Sequence, residues 1–230
     1  MPKQGKRFRA DSENVADLAA SKEGIPLSDA ITKIKSFKAT KFDQTVELCM
    51  HLGIDARQAD QALRGSIALP HGVGKTKRVI AFCSDDKIGE CTEAGATEAG
   101  GAELVDKVAK GWFDFDVAVA EPAMMKVVSK LGRTLGPKGL MPSPKSGTVT
   151  PNISQAVKEY GAGKVEYRND AGGNIHIPIG KLSFEHKQLL DNADTFIKHI
   201  VKIKPPTSKG HYVKRISVSA TMTPGVRVME

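Results

Sequence analysis

From Gln44 to Leu52 the chain alternates. Val46, Leu48, Met50 and Leu52 fall in one phase, and Thr45, Glu47, Cys49 and His51 in the other. A period of two predicts a strand with one buried and one polar face. Val213 to Ala220 alternates in the same way. Between them the texture differs: Arg78 to Cys83 and Phe115 to Ala120 carry near-unbroken apolar runs, the pattern of strands covered on both faces in a parallel sheet. Helical signals separate them. Asp11-Ser12-Glu13 reads as a helix start leading into Val15, Leu18 and Ala19, and Pro26-Leu27-Ser28 opens a second helix carrying Ile31 and Ile34. A third helix is expected over Gly101 to Lys110. Pro122 sits at the first position of a fourth, which Met124 to Leu131 continue and Gly132 ends. Asn152 to Tyr160 predicts a short helix, and Phe184 to Lys204 a long one stopped by Pro205-Pro206. Lys164 to Arg168 and Ile175 to Ile179 flank Asn169-Asp170-Ala171-Gly172-Gly173, which predicts a hairpin.

Two glycine-rich breaks, Pro70 to Gly74 and Gly161 to Gly163, divide the pattern. Neither terminal piece is long enough for a comfortable domain alone. The economical arrangement is an α+β domain built from both termini, with an α/β domain inserted between flexible hinges.

Composition narrows the classes. The chain has 230 residues, 34 Lys and Arg against 26 Asp and Glu, and a formal charge of +8. No apolar run approaches the roughly 20 residues that span a bilayer, so no membrane partner is expected. Met1 to Asn14 is polar and basic, which does not read as a secretory signal. Cys49, Cys83 and Cys91 are scattered without a CxxC pair, so neither a disulfide framework nor a zinc site is expected, and a cytoplasmic location is. The positive surplus is uneven. Lys3, Lys6, Arg7 and Arg9 form a basic arm, and Asp85 to Asp106 is acidic. No acid occurs from Pro122 to Lys158 or from Thr195 to Val228. Two acid-free basic stretches point to a polyanionic partner, nucleic acid before membrane.

Catalytic signatures are lacking. Gly74-Lys75-Thr76 resembles the end of a phosphate loop, but Leu69 stands where its first glycine belongs, and a strand rather than a helix is expected to follow. Gly132, Gly136 and Gly139 lie in a turn that no strand enters directly. The six histidines show no ligand spacing, no GxSxG elbow surrounds Ser143 or Ser146, and Cys83 reads as a small buried hydrophobe. Neither an enzyme, a metal nor a cofactor is expected. A nucleotide-binding α/β enzyme and a non-specific basic RNA binder are the rival readings.

Other residues suit RNA. In Leu131 to Gly147, glycines let the backbone approach a ligand and prolines fix its path, while Arg133, Lys138 and Lys145 supply charge. A tight loop docking the inserted elements is the plainer alternative. Thr40-Lys41-Phe42 sets a cation beside an aromatic, the pairing that neutralises phosphate and stacks on a base. Phe42 shares the phase of Val46 and Leu48, so a core position is the alternative. Ser217, Ser219, Thr221 and Thr223 place hydroxyls around a Met222 turn, suited to RNA sugar edges. Arg168, ending the expected first hairpin strand, joins them as a candidate.

These segments together resemble the L1 family of large-subunit ribosomal proteins. The resemblance covers essentially the whole chain. It is carried by Lys41-Phe42-Asp43-Gln44-Thr45-Val46-Glu47, Leu52-Gly53-Ile54-Asp55, Arg64-Gly65, Leu69 to Lys75, the Leu131 to Gly147 loop and Thr221-Met222. It implies a two-domain plan. Residues 1–69 plus 160–230 would form a two-layer split β-α-β RNA-binding domain, and residues 70–159 an inserted three-layer Rossmann-like domain. It implies a ribosome-bound protein, monomeric when free, that binds 23S rRNA in the mobile stalk of the large ribosomal subunit. It further implies that the stalk assists release of deacylated E-site tRNA, and that the protein represses its own operon by binding the mRNA. The contacts it implies fall at Phe42 with its neighbours and at the Thr221-Met222 turn. One position departs from the family pattern: Thr-Met-Gly-Pro is common there, and this chain has Thr221-Met222-Thr223-Pro224. A β-branched residue fits poorly where a positive φ is needed, so the departure bears on the local contact at Thr223.

Overall fold

The computed structural model describes residues 5–15, 24–38, 40–58, 60–208 and 210–229. In chain order the elements are α1 (Lys6–Glu13), α2 (Leu27–Ser36), β1 (Thr45–Leu52), β2 (Arg64–Ile67), β3 (Val79–Phe82), α3 (Ile88–Glu93), β4 (Glu98–Gly100), α4 (Ala102–Ala109), β5 (Val117–Ala120), α5 (Met125–Val128), α6 (Gly132–Leu135), α7 (Ile153–Gly161), β6 (Val165–Arg168), β7 (Asn174–Lys181), α8 (His186–Lys202), β8 (Val213–Ala220) and β9 (Val226–Val228). They group into two compact units. One is Met1–Leu63 with Leu69–Gly74 and Tyr167–Glu230, and the other is Arg64–Ala68 with Lys75–Glu166.

The first unit is built on an antiparallel sheet of order β7-β1-β8-β9. Its even-phase residues are buried: Val46, Leu48 and Met50 on β1, Ile216 and Val218 on β8. The odd phase of β7 is buried with them at Ile175, Ile177 and Ile179. α2 and α8 cover that face and touch each other. α2 buries Ala30, Ile31 and Ile34; α8 buries Leu189, Ala193, Phe196 and Ile200. Each fully buried Leu, Ile or Phe contributes about 1.5–3 kcal/mol. α8 begins with a capping box in which the Glu185 N–H donates to Gln188 Oε1 at 3.0 Å, and it stops before Pro205. Asn192 on α8 is fully buried; its Nδ2 donates to the Gly72 and Ile179 carbonyls at 2.9 and 2.8 Å, and its Oδ1 accepts from the His71 N–H at 3.1 Å.

The second unit has a parallel sheet of order β4-β3-β5 between two helical layers. Ile80 and Phe82 face Leu104, Val105, Val128 and Leu135 on one side. Val79, Ala81 and Cys83 face Cys91, Ile153, Val157 and Tyr160 on the other. Both faces of β3 are thus covered, as its unbroken apolar run predicts. Burial pushes the Cys83 thiol up to about 12, so it packs as a neutral small hydrophobe.

Three local expectations are corrected. Asp11 to Glu13 ends a helix instead of starting one: α1 runs from Lys6 to Glu13, while Leu18 and Ala19 lie outside the described residues. Gly132 does not terminate the helix of Met124 to Leu131. It keeps right-handed angles, φ −56° and ψ −36°, and opens α6; it does not take the left-handed turn by which glycine commonly caps a helix. That turn comes at Gly139, with φ +71°. Finally, β6 and β7 do not form a hairpin ladder. The Asp170 turn is present, its Oδ1 accepting from the Gly172 and Asn174 N–H groups at 2.8 and 2.7 Å. Beyond it the Asn169–Ile175 bridge is the one pairing between the strands among the described residues; β7 is the edge strand beside β1, and β6 pairs instead with β2 in a separate two-stranded sheet.

Candidate nucleic-acid interface

Antiparallel pairing brings the two expected contact segments together. Val46 on β1 lies opposite Ala220 on β8, so the residues before β1 meet those after β8. The Thr45 N–H donates to Thr221 Oγ1 at 3.1 Å, and the Thr221 N–H donates to the Thr45 carbonyl at 3.1 Å. Beside this clasp, Phe42 and Met222 are 53% and 48% exposed, large apolar side chains held in water. The shared phase of Phe42 with Val46 does not bury it, because the strand begins only at Thr45. Ahead of β1 the chain turns: Thr40 Oγ1 donates to the Phe42 carbonyl at 2.6 Å, and Asp43 accepts from the Ser183 hydroxyl at 2.7 Å and its N–H at 3.2 Å. Lys41 is exposed.

Sequence reasoning missed the residues that hold this patch. Gln44 is 1% exposed, and its Oε1 accepts from the Met222 N–H at 2.9 Å. A polar residue in the core phase of an alternating strand was the signal. Lys181 Nζ donates to Thr45 Oγ1 at 2.8 Å, and Arg7 donates to the Met222 carbonyl at 3.3 Å.

Thr223 was expected on the contact surface, and the structure buries it. Its hydroxyl accepts from the Ala220 N–H at 2.9 Å and donates to the Ala220 carbonyl at 3.4 Å. Among the described residues only glycines have positive φ, so threonine at this turn carries no left-handed strain. Ser219 and Ser217 lie in the polar phase of β8, opposite Glu47 and Cys49. Arg168 does not join the Phe42 cluster. It ends β6 beside the Asn169–Ile175 bridge, at the end of the sheet where Asn174 pairs with His51. At 3.4 Å per residue that is roughly 20 Å from Thr45 along β1.

In the second unit Arg133, Lys138 and Lys145 are all exposed. Lys138 Nζ lies 3.3 Å from the Phe113 ring centroid. Beneath these heads the loop backbone is pinned. Thr148 Oγ1 accepts from the Ser143 N–H at 2.8 Å, Tyr160 donates to the Ser146 carbonyl at 2.6 Å, and Val149 bridges to Ala120. Gly74-Lys75-Thr76 leads into β3 as expected, and Lys75 Nζ lies 3.6 Å from Asp116. No group of three or more His, Cys, Asp or Glu among the described residues could hold a metal ion.

The family model described as ribosomal protein L1p/L10e matches residues 33–224, from the middle of α2 to the turn after β8. The chain belongs to the ribosomal protein L1p/L10e family. Membership in the L1p/L10e family makes it a ribosomal protein that binds rRNA, in a family of structural, non-enzymatic proteins. The match spans both Phe42 and Met222, so the exposed pair lies inside the L1p/L10e region. No helix among the described residues is long and apolar enough to cross a membrane.

Proposed function

We propose that this L1p/L10e protein builds the mobile stalk of the large subunit beside the E site by binding 23S rRNA. The stalk assists release of deacylated tRNA, and the same surface binds the operon's own mRNA and represses its translation. In this reading residues 1–69 with 160–230 are the rRNA-binding domain and residues 70–159 the inserted domain, which swings about Pro70–Gly74 and Gly161–Gly163. The protein is a cytoplasmic monomer when free and needs no cofactor.

The observation that carries this reading is the exposed Phe42–Met222 pair, fixed by the Thr45–Thr221 clasp. Exposed apolar side chains on a rigid frame suit stacking against folded RNA, with Lys41, Arg133, Lys138 and Lys145 adding affinity that falls with salt. Competition binding to a stalk rRNA fragment against excess unrelated RNA of tRNA size, at two salt concentrations, tests it. Retained binding with a moderate salt slope is expected. Complete displacement with a steep slope would leave a non-specific basic surface.

A further inference from the structure

The face of the β7-β1-β8-β9 sheet opposite α2 and α8 holds a second feature. A recess of about 450 Å³ opens there, lined by residues of all four strands and by Gly225. The register sets its floor in rows. His176, Cys49, Ser217 and Arg227 stand side by side on successive strands, and Asn174, His51 and Arg215 form the next row. With strands about 4.8 Å apart, a row of four spans roughly 14 Å.

The hydrogen bonds fix what the recess offers. Asp170 accepts from Asn174 Nδ2 at 2.9 Å. Its carboxyl is held below the usual carboxylate range, chiefly by bonds from the Asn174 side chain and backbone. It is therefore an acceptor, which commits Asn174 to present Oδ1 on its other side. Asn174 Oδ1 lies 2.8 Å from His51 Nδ1. His51 then carries its proton on Nδ1, leaving Nε2 as an acceptor. Burial, reinforced by Glu47, pushes the Cys49 thiol up, so this sulfur adds no negative charge to the recess. Arg215 and Arg227 make no ion pair with another described residue.

We propose that this recess receives one unstacked nucleotide of the bound RNA. Arg215 and Arg227 take its phosphate, and the base lies over the His176–Cys49–Ser217 row. His51 Nε2 accepts from an exocyclic amino group, so adenine or cytosine is favoured over uracil. Splayed-out single-stranded bases read at their edges are the usual targets of sequence-specific RNA recognition. This inference rests on the rRNA-binding reading but uses residues separate from Phe42 and Met222.

The test measures binding of the full chain to oligo(A), oligo(C) and oligo(U) pentanucleotides, to AMP, and to the stalk rRNA fragment. Wild type is expected to prefer oligo(A) and oligo(C) over oligo(U) by about fivefold, the worth of one hydrogen bond. His51→Leu removes that preference, while Phe42→Ala keeps it. Arg227→Ala lowers the salt slope by about one. Binding of the rRNA fragment with no base preference, or with a preference that His51→Leu leaves intact, overturns the recess alone. AMP bound as tightly as oligo(A) overturns the RNA assignment in favour of a free-nucleotide site. Failure of wild type to bind the rRNA fragment overturns this inference and the proposed function together.

Discussion

Thr45 and Thr221 clasp each other twice, the backbone N–H of each donating to an oxygen of the other at 3.1 Å. This clasp closes the β1–β8 ladder at one end and fixes the turn that carries Met222. Gln44 locks the same turn through the Met222 N–H. Both residues are positioning groups, since neither needs to touch RNA to matter. Thr221→Val removes the hydroxyl while keeping the shape, and Gln44→Leu leaves the Met222 N–H without its buried acceptor. Each is expected to weaken stalk rRNA binding about fivefold to tenfold while leaving the salt slope unchanged. A reduced slope with unchanged specificity would show that the turn contributes only charge.

Phe42 and Met222 themselves should matter more than any single lysine. Aromatic stacking is worth about 1–3 kcal/mol per base, while one phosphate contact adds mainly salt-dependent affinity. Phe42→Ala or Met222→Ala is therefore expected to lower specific binding tenfold or more, and Lys145→Ala far less. Filter binding at fixed salt measures all three, and equal losses would count against a specificity patch on the first unit.

Asn192 is the buried polar knot of that unit. Replacing it with leucine strands the Gly72 and Ile179 carbonyls and the His71 N–H. Unsatisfied buried groups cost about 1–3 kcal/mol each, and partial relaxation reduces the sum. Asn192→Leu is expected to lower stability by about 2–4 kcal/mol in urea unfolding. A midpoint matching wild type would mean that water or a rearranged loop satisfies those groups.

The β1 and β8 strands were legible because one face is buried and one is wet, which prints a period of two into the sequence. β3 was legible for the opposite reason, since helices on both sides demand an unbroken apolar run. The pairing of β6 was not legible. Its sequence and the Asp170 turn satisfy every local rule for a hairpin, yet β6 pairs with β2, a strand far back in the chain at Arg64–Ile67. Phe42 was ambiguous because phase says nothing about where a strand begins. Gln44 carried a readable signal, a polar group in a core phase, whose meaning depended on a partner far along the chain.

Acid should loosen the first unit through His199. Its Nε2 lies 2.9 Å from the Tyr167 hydroxyl, whose proton burial retains. Burial first, and the Lys202 charge second, hold His199 below its ordinary value. The folded state therefore binds this proton more weakly than the unfolded chain. The neutral imidazole contributes stability in full above about pH 6.5, and that contribution is lost as pH falls through the folded value. Urea midpoints between pH 7.5 and 5.5 should fall more for wild type than for His199→Gln, which keeps an acceptor for Tyr167. Parallel curves for the two proteins would exclude His199 as a source of acid sensitivity.

Gly53 shows why the Leu52-Gly53-Ile54-Asp55 segment requires a glycine without any left-handed turn. Its N–H donates to the Tyr212 carbonyl at 2.7 Å, and its own carbonyl accepts from Ser208 Oγ at 2.9 Å. These two bonds draw it under the segment leading into β8, where a Cβ would collide with the His211 carbonyl. The obstacle is backbone, so no side-chain rotation relieves it. Gly53→Ala must part the strands just where the β1–β8 register already shifts, between His51 and Leu52. Overpacking of this kind costs about 1–3 kcal/mol. Gly89→Ala is the matched control, because it lies in α3 with open space around its Cβ position; there alanine should be neutral or stabilise by up to about 1 kcal/mol. Urea midpoints of the two variants decide the matter. A Gly53→Ala midpoint no lower than that of Gly89→Ala would mean the loop before β8 yields freely, and the close approach would not be what the glycine is for.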